Sequence, residues 1–192
     1  MKLSHWKIVF LICFLSAMVC GPFPHHGAEA ASGSLCTRYN IHAQNQNGIY
    51  KASYANYTNP GPGHVVIPAG SPVSIAKITR KLIDLHFPES NINVQYEFHG
   101  PRMGMSAQQY LNIITSVSPV SYSHLSQIDR QGIAAGKAFV GMSREGVRVA
   151  LGYPAAHRTP SLDSPTYIYW TNRFGTVAVN FDSQGKVTSL IK

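Results

Sequence analysis

Hydrophobic and polar positions alternate with a period of two over much of residues 49–98, the side-chain spacing of half-buried strands. The pattern predicts one strand over 49–57, carrying Tyr50, Tyr54 and Tyr57. A second follows the Pro68-Ala-Gly70 turn and runs through Val73 and Ile75. Two more, over 81–87 and 92–98, are joined by Pro88-Glu-Ser-Asn91. Asn59-Pro-Gly-Pro-Gly63 reads as a loop by composition. Residues 31–47 are polar and weakly patterned, and read as a tether or irregular lead-in.

After the break at Gly100-Pro-Arg-Met-Gly104 the period lengthens. Ser106 with Gln109 three residues on has the form of a capping box, and Met105 with Tyr110 that of a hydrophobic staple. Tyr110, Ile113, Ile114 and Val117 then form a helical stripe that Pro119 ends. A second helical stretch spans 125–139, where Gly132, Ala135 and Gly136 allow close approach of another backbone. A third, short helix starts at Ser143, a good N-cap, and buries Val147, Ala150 and Leu151. Gly152 suits a left-handed position after its end, and Pro154 forbids continuation. Three strands over 166–170, 176–181 and 186–191 follow, with hairpin-sized connections. Val177, Val179 and Phe181 share one face.

These elements predict an α+β chain: a small antiparallel β unit over 31–104, then a domain over 105–192 with helices packed on a three-stranded antiparallel sheet. The C-terminal part is expected to fold alone from about residue 120. The segment Val66-Ile-Pro-Ala-Gly-Ser-Pro-Val-Ser-Ile75 resembles the turn of small bacterial Src-homology-3-type barrels. Gly141-Met-Ser143, the helix ending Ala150-Leu-Gly-Tyr-Pro154, Tyr169-Trp170 and Val179-Asn-Phe-Asp-Ser-Gln-Gly-Lys-Val187 together resemble the BamE/SmpA/OmlA family of outer-membrane assembly lipoproteins. The resemblance covers about residues 125–192. It implies an αα-βββ fold, a periplasmic location, no cofactor, and a scaffold that binds protein and anionic lipid. About 90 residues stand ahead of the matching module, and the lipobox departs from the family pattern.

One apolar run, Ile8 to Val19, is too short to cross a bilayer. Lys2 and Lys7 precede it and Ala28-Glu-Ala30 follows, the layout of a secretory signal over residues 1–30. A lipoprotein signal cut before Cys20 is the second reading, but Val19 stands where such processing wants a small residue. The predicted location is therefore the periplasm or the periplasmic face of the outer membrane. Without Lys2, Lys7 and Glu29 the chain keeps 14 basic and 7 acidic residues. The excess is spread out rather than gathered into a stripe, which argues against nucleic acid and allows attraction to an anionic lipid surface.

Chemistry is sparse. Cys36 is the only cysteine past the signal, so an internal disulfide is excluded there. A nucleophilic Cys36 needs a placed base, and the six remaining histidines follow no motif. No zinc spacing, phosphate loop or convergent carboxylate pair is present. Ser161, Asp163 and His157 lie together in a loop, but no strand-to-helix elbow holds the serine. The expectation is a non-catalytic envelope protein without cofactor or metal, binding an envelope partner such as the barrel-assembly machinery. The alternatives are an inhibitor-type module that docks on an enzyme, and an enzyme with an inter-domain site. Aromatics and Arg dominate interface energetics, which makes Tyr167, Tyr169, Asn172, Arg173 and Phe174 the candidate protein-binding residues.

Overall fold

Much of the stretch expected to be an irregular lead-in is strand: β1 (Leu35–Thr37) and β2 (Ile41–Gln46). The computed structural model describes residues 35–192, so the expected signal segment and Cys20 lie outside the described residues. Asn47 and Gly48, both at positive φ, turn β2 back into β3 (Ile49–Ser53), the chemistry of a two-residue hairpin. The chain then crosses to β4 (His64–Ile67) and continues, past Pro68, as β5 (Pro72–Ile78). A meander through β6 (Leu82–Phe87) and β7 (Ile92–Glu97) follows.

The sheet order is β4-β2-β3-β7-β6-β5-β1, extended at its end by β8 (Thr115–Ser116). β1 pairs β5 through Leu35↔Val73, and β2 pairs β4 through Ile41↔Ile67. These partners are equally spaced on both chains, so one antiparallel register survives both bends. The first and last members of the order are thus continuations of the same two stretches, and the sheet curls into a barrel. Its one parallel pair, β3 with β7, closes the remaining seam. The interior takes Ile41, Ala43, Ile83, Leu85, Val94 and Tyr96.

Two short helices follow, α1 (Gly100–Met103) and α2 (Ala107–Ile114). The capping box of Ser106 and Gln109 forms as expected. Tyr110, Leu111 and Ile114 enter the barrel core, and the helix stops there because Thr115 and Ser116 pair with Thr37 and Cys36. Val117, expected to belong to the stripe, is exposed. A second core lies between α3 (Gln127–Ala135), α4 (Arg144–Leu151) and the sheet of β9 (Thr166–Trp170), β10 (Thr176–Phe181) and β11 (Val187–Ile191).

The expected α+β fold, a small antiparallel unit followed by an αα-βββ BamE-like domain, is therefore corrected. The chain is mostly β: an eight-stranded curled mixed sheet and a three-stranded sheet, with four short helices among the described residues. Two physical facts account for the difference. The polar run 38–46 supplies the strand that closes the barrel, and the apolar face of α2 matches the barrel rather than the C-terminal sheet.

Buried polar groups join the two cores. The Asn40 side chain donates to Ile133 O (2.7 Å) and Ala150 O (3.2 Å) and accepts from Ala69 N (2.8 Å). His42 Nε2 lies 2.9 Å from Ala150 O. The barrel thereby supplies donors to the Ala150 carbonyl at the end of α4 and, beside the Gly136 cap N–H, to Ile133 O at the end of α3. Asn56 donates to Tyr153 O and accepts from Tyr96 Oη (3.1 Å). Among the described residues, no helix is long and apolar enough to cross a membrane.

Candidate functional site

The structure separates the five sequence-predicted site residues into two groups. Tyr167 and Tyr169 are fully buried, which corrects their assignment to a binding surface. Tyr169 pairs with Val177 and Tyr167 with Val179. Partners across an antiparallel pair share a face, so both tyrosines point with the valines toward α4. Their hydroxyls are used internally: Tyr169 Oη donates to Gly152 O at 3.0 Å, and Tyr167 Oη donates to Leu162 O. Burial pushes the Tyr169 hydroxyl well above its ordinary pKa. Ile168 and Trp170 occupy the other face, and Trp170 packs against the barrel core.

Asn172, Arg173 and Phe174 form the β9–β10 turn and are exposed. Asn172 Oδ1 accepts from the N–H groups of Phe174 (2.8 Å) and Gly175 (2.9 Å). Its role is to shape the turn. Gly175 is required beside it, because a Cβ there would stand 2.6 Å from Thr171 Oγ1. Phe174 is 89% exposed, with the Arg173 guanidinium 5.8 Å from its ring centre.

This turn ends a groove. Alternation along the strands puts Gln44, Gln46, Lys51, Gln95 and Glu97 on the outside of the barrel, where they line a depression of about 360 Å³ with Tyr57. A second hollow, of about 650 Å³, shares Gln44, Gln46, Tyr57 and Pro60 and reaches Asn172, Arg173 and Phe174. The two adjoin along these four shared residues. The overhanging loop is tied on both sides. Gln44 Nε2 donates to Pro62 O (2.9 Å) and Asn45 N to Gly63 O (2.8 Å). Thr58 N donates to Trp170 O (2.9 Å) and Asn59 N to Thr171 O (2.8 Å). Gly63 permits the close approach, since a Cβ would meet Asn45 O at 2.5 Å. The groove is thus already formed. Burial raises the Tyr57 hydroxyl, with Glu97 and Tyr54 adding to the rise and Arg173 and Arg102 opposing it.

Sequence reasoning missed Gln44, Gln46, Lys51, Tyr57 and Gln95. The spacing of Gln44 and Gln46 around an inward Ala43–Asn45 pattern was the available signal, but the segment lacks the apolar contrast that makes alternation visible.

The other candidate chemistries are not assembled. Cys36 is buried in β1, which is paired on both edges. Ser161 Oγ accepts from Asp163 N at 3.1 Å, and no hydrogen bond joins either residue to His157. Among the described residues, no group of three His, Cys, Asp or Glu side chains is placed to hold a metal ion. No protein-family model matches the chain, and no curated protein or solved structure matches it.

Proposed function

We propose that the chain is a non-catalytic, exported envelope protein that holds a protein partner in the barrel groove, in outer-membrane assembly or envelope maintenance. The observation that carries this reading is the preformed groove ending at the exposed Arg173–Phe174 pair. Exposed aromatic and Arg side chains at the end of a rigid groove are the usual anchors of binding. Gln44 is engaged by the loop carbonyls and by Gln46 Nε2. The Gln95 amide, with the remaining N–H and Oε1 of Gln46, offers both donors and acceptors, which suits the alternating N–H and C=O groups of an extended peptide segment. Because the loop is already tied down, binding requires little ordering of the groove itself.

The test is a pair of substitutions read by affinity and by melting. Phe174→Ala and Arg173→Ala are each expected to weaken partner binding by about 1–2 kcal/mol and to leave the melting temperature unchanged. Wild-type affinity in both variants would refute the reading.

A further inference from the structure

A second feature lies on the α1 side of Tyr57, outside the groove. Arg102, His99 and His157 meet around Tyr54, and Arg158 stands close enough to His157 to act on its imidazole. Arg102 Nη1 donates to Tyr54 Oη at 2.7 Å. The imidazoles of His99 and His157 lie beside the Tyr54 ring, with centroid separations of 5.9 and 6.3 Å. His157 N donates to Arg102 O at 2.9 Å, tying the loop after α4 to α1. Arg158, the next residue, has its guanidinium 5.9 Å from the Trp170 ring centre. His99 Nδ1 accepts from Arg102 N (3.3 Å), so its Nε2–H is left as a donor. Tyr54 is buried, whereas the two histidines and two arginines are exposed.

No carboxylate among the described residues forms an ion pair with this group. Glu97 and Arg102 both act on the Tyr57 hydroxyl, but Glu97 makes no hydrogen bond with the four residues. Among the described residues the one ion pair, His124–Glu145, does not involve them. Like charges held together without a counter-ion disfavour one another. Arg102 is anchored by its bond to Tyr54 Oη, and the rings of Tyr54 and Trp170 flank the other three. A tetrahedral oxyanion offers several acceptor oxygens to such a set and forms charge-assisted hydrogen bonds with it.

We propose that His99, Arg102, His157 and Arg158 form a binding site for a phosphoryl group. Burial lowers the His157 imidazole, and the nearby Arg102, Arg158 and His99 lower it further, against a small rise from the bond to Arg102 O. A bound phosphoryl anion opposes that environment and favours the imidazolium. Binding should therefore strengthen as the pH falls through the ordinary histidine range near 6.5.

The test is a phosphate titration of histidine-labelled protein at pH 6, followed by NMR, against sodium chloride at matched ionic strength. The His99 and His157 ring signals are expected to shift saturably with phosphate alone, while His86 and His124 do not respond. Arg102→Gln and Arg158→Gln should each weaken the phosphate response roughly tenfold, the worth of one charge-assisted hydrogen bond. Co-sedimentation with phosphatidylglycerol vesicles identifies the source. Vesicle binding lost in the same variants assigns the phosphate to a lipid headgroup. A phosphate response without vesicle binding assigns it to a soluble phosphorylated ligand. Responses to phosphate no larger than to chloride, or unchanged in both variants, would overturn the site.

Discussion

Burial decides what each aromatic of the β9–β10 hairpin does. Tyr169 is fully enclosed and bonded to Gly152 O, so Tyr169→Ala should cost about 3–5 kcal/mol of stability, the range for a large core side chain. A chemical denaturation curve measures it; a cost under about 1 kcal/mol would contradict the burial. The facing was legible in principle. Val177 and Val179 mark the inner face, and a short turn fixes register, which pairs them with Tyr169 and Tyr167. His42 is the second residue with a measurable consequence. Its Nε2–H donates to Ala150 O, so its Nδ1 must accept from His64 Nε2 at 3.1 Å. Burial lowers its pKa from 6.5 to about 4, with the Ala150 bond opposing and His64 assisting. The unfolded chain thus binds a proton between these values that the folded chain refuses. Stability is full above pH 6.5 and falls as the pH drops toward 4, by up to about 3 kcal/mol. His42→Gln should remove that slope in a stability profile over this window, and an unchanged slope would exclude His42 as its source.

At the scale of elements, the crossing of α3 and α4 is organised by one carboxylate. Asp129 accepts from Ser126 N and Oγ (3.2 and 2.6 Å), the capping box of α3. It also accepts from Ser143 N and Oγ (2.7 and 3.1 Å), at the N-cap of α4. Burial alone would raise this carboxyl, but the Ser126 and Ser143 bonds outweigh it and hold it below the usual value. Asp129→Ala should therefore destabilise by about 2–3 kcal/mol, combining a lost cap with buried donors left unpaired. Gly146 is where the helices meet, since a Cβ there would lie 2.1 Å from Asp129 Oδ1. Gly146→Ala should cost about 1–3 kcal/mol even though Ala favours the helix. A stabilised Gly146→Ala variant would show that the helices can separate without loss. Ser143 and its helix were readable from cap chemistry, whereas the space at Gly132 is taken by the Met142 side chain and that at Gly136 by the Val66 and His42 side chains, not by another helix's backbone. Gly152 takes a positive φ of 89°, as a glycine after a helix end can, with ψ 176° in place of the αL value. Asn56 fills the space a Cβ would need. What local sequence could not reveal was that Asp129 serves both helices, because that contact depends on how they pack.

At the scale of the whole molecule, the described residues, 35–192, form one compact unit. The expected independence of residues 120–192 fails on this ground: Asn40 and His42 from the barrel satisfy the ends of α3 and α4. A 120–192 fragment should give little ordered circular dichroism, and a cooperative melt from it would contradict the shared core. Strands β6 and β7 and the three C-terminal strands were legible because their alternation has strong apolar contrast. The closing strand was not, because Asn40, His42 and Gln44 sit where contact with the rest of the chain, not hydrophobicity, defines the element. The groove inherits that blindness, since His42, Gln44 and Gln46 of its wall come from the same strand. The central claim is that this wall and the Arg173–Phe174 turn form one partner-binding groove. A photo-cross-linker placed at position 174, with one at the exposed Val117 as control, tests it in the intact envelope. The account expects a discrete protein adduct from 174 that disappears when Gln44 and Gln46 are both changed to Ala in a still-folded chain. Equal adducts from 174 and 117, or an adduct indifferent to Gln44 and Gln46, would contradict it.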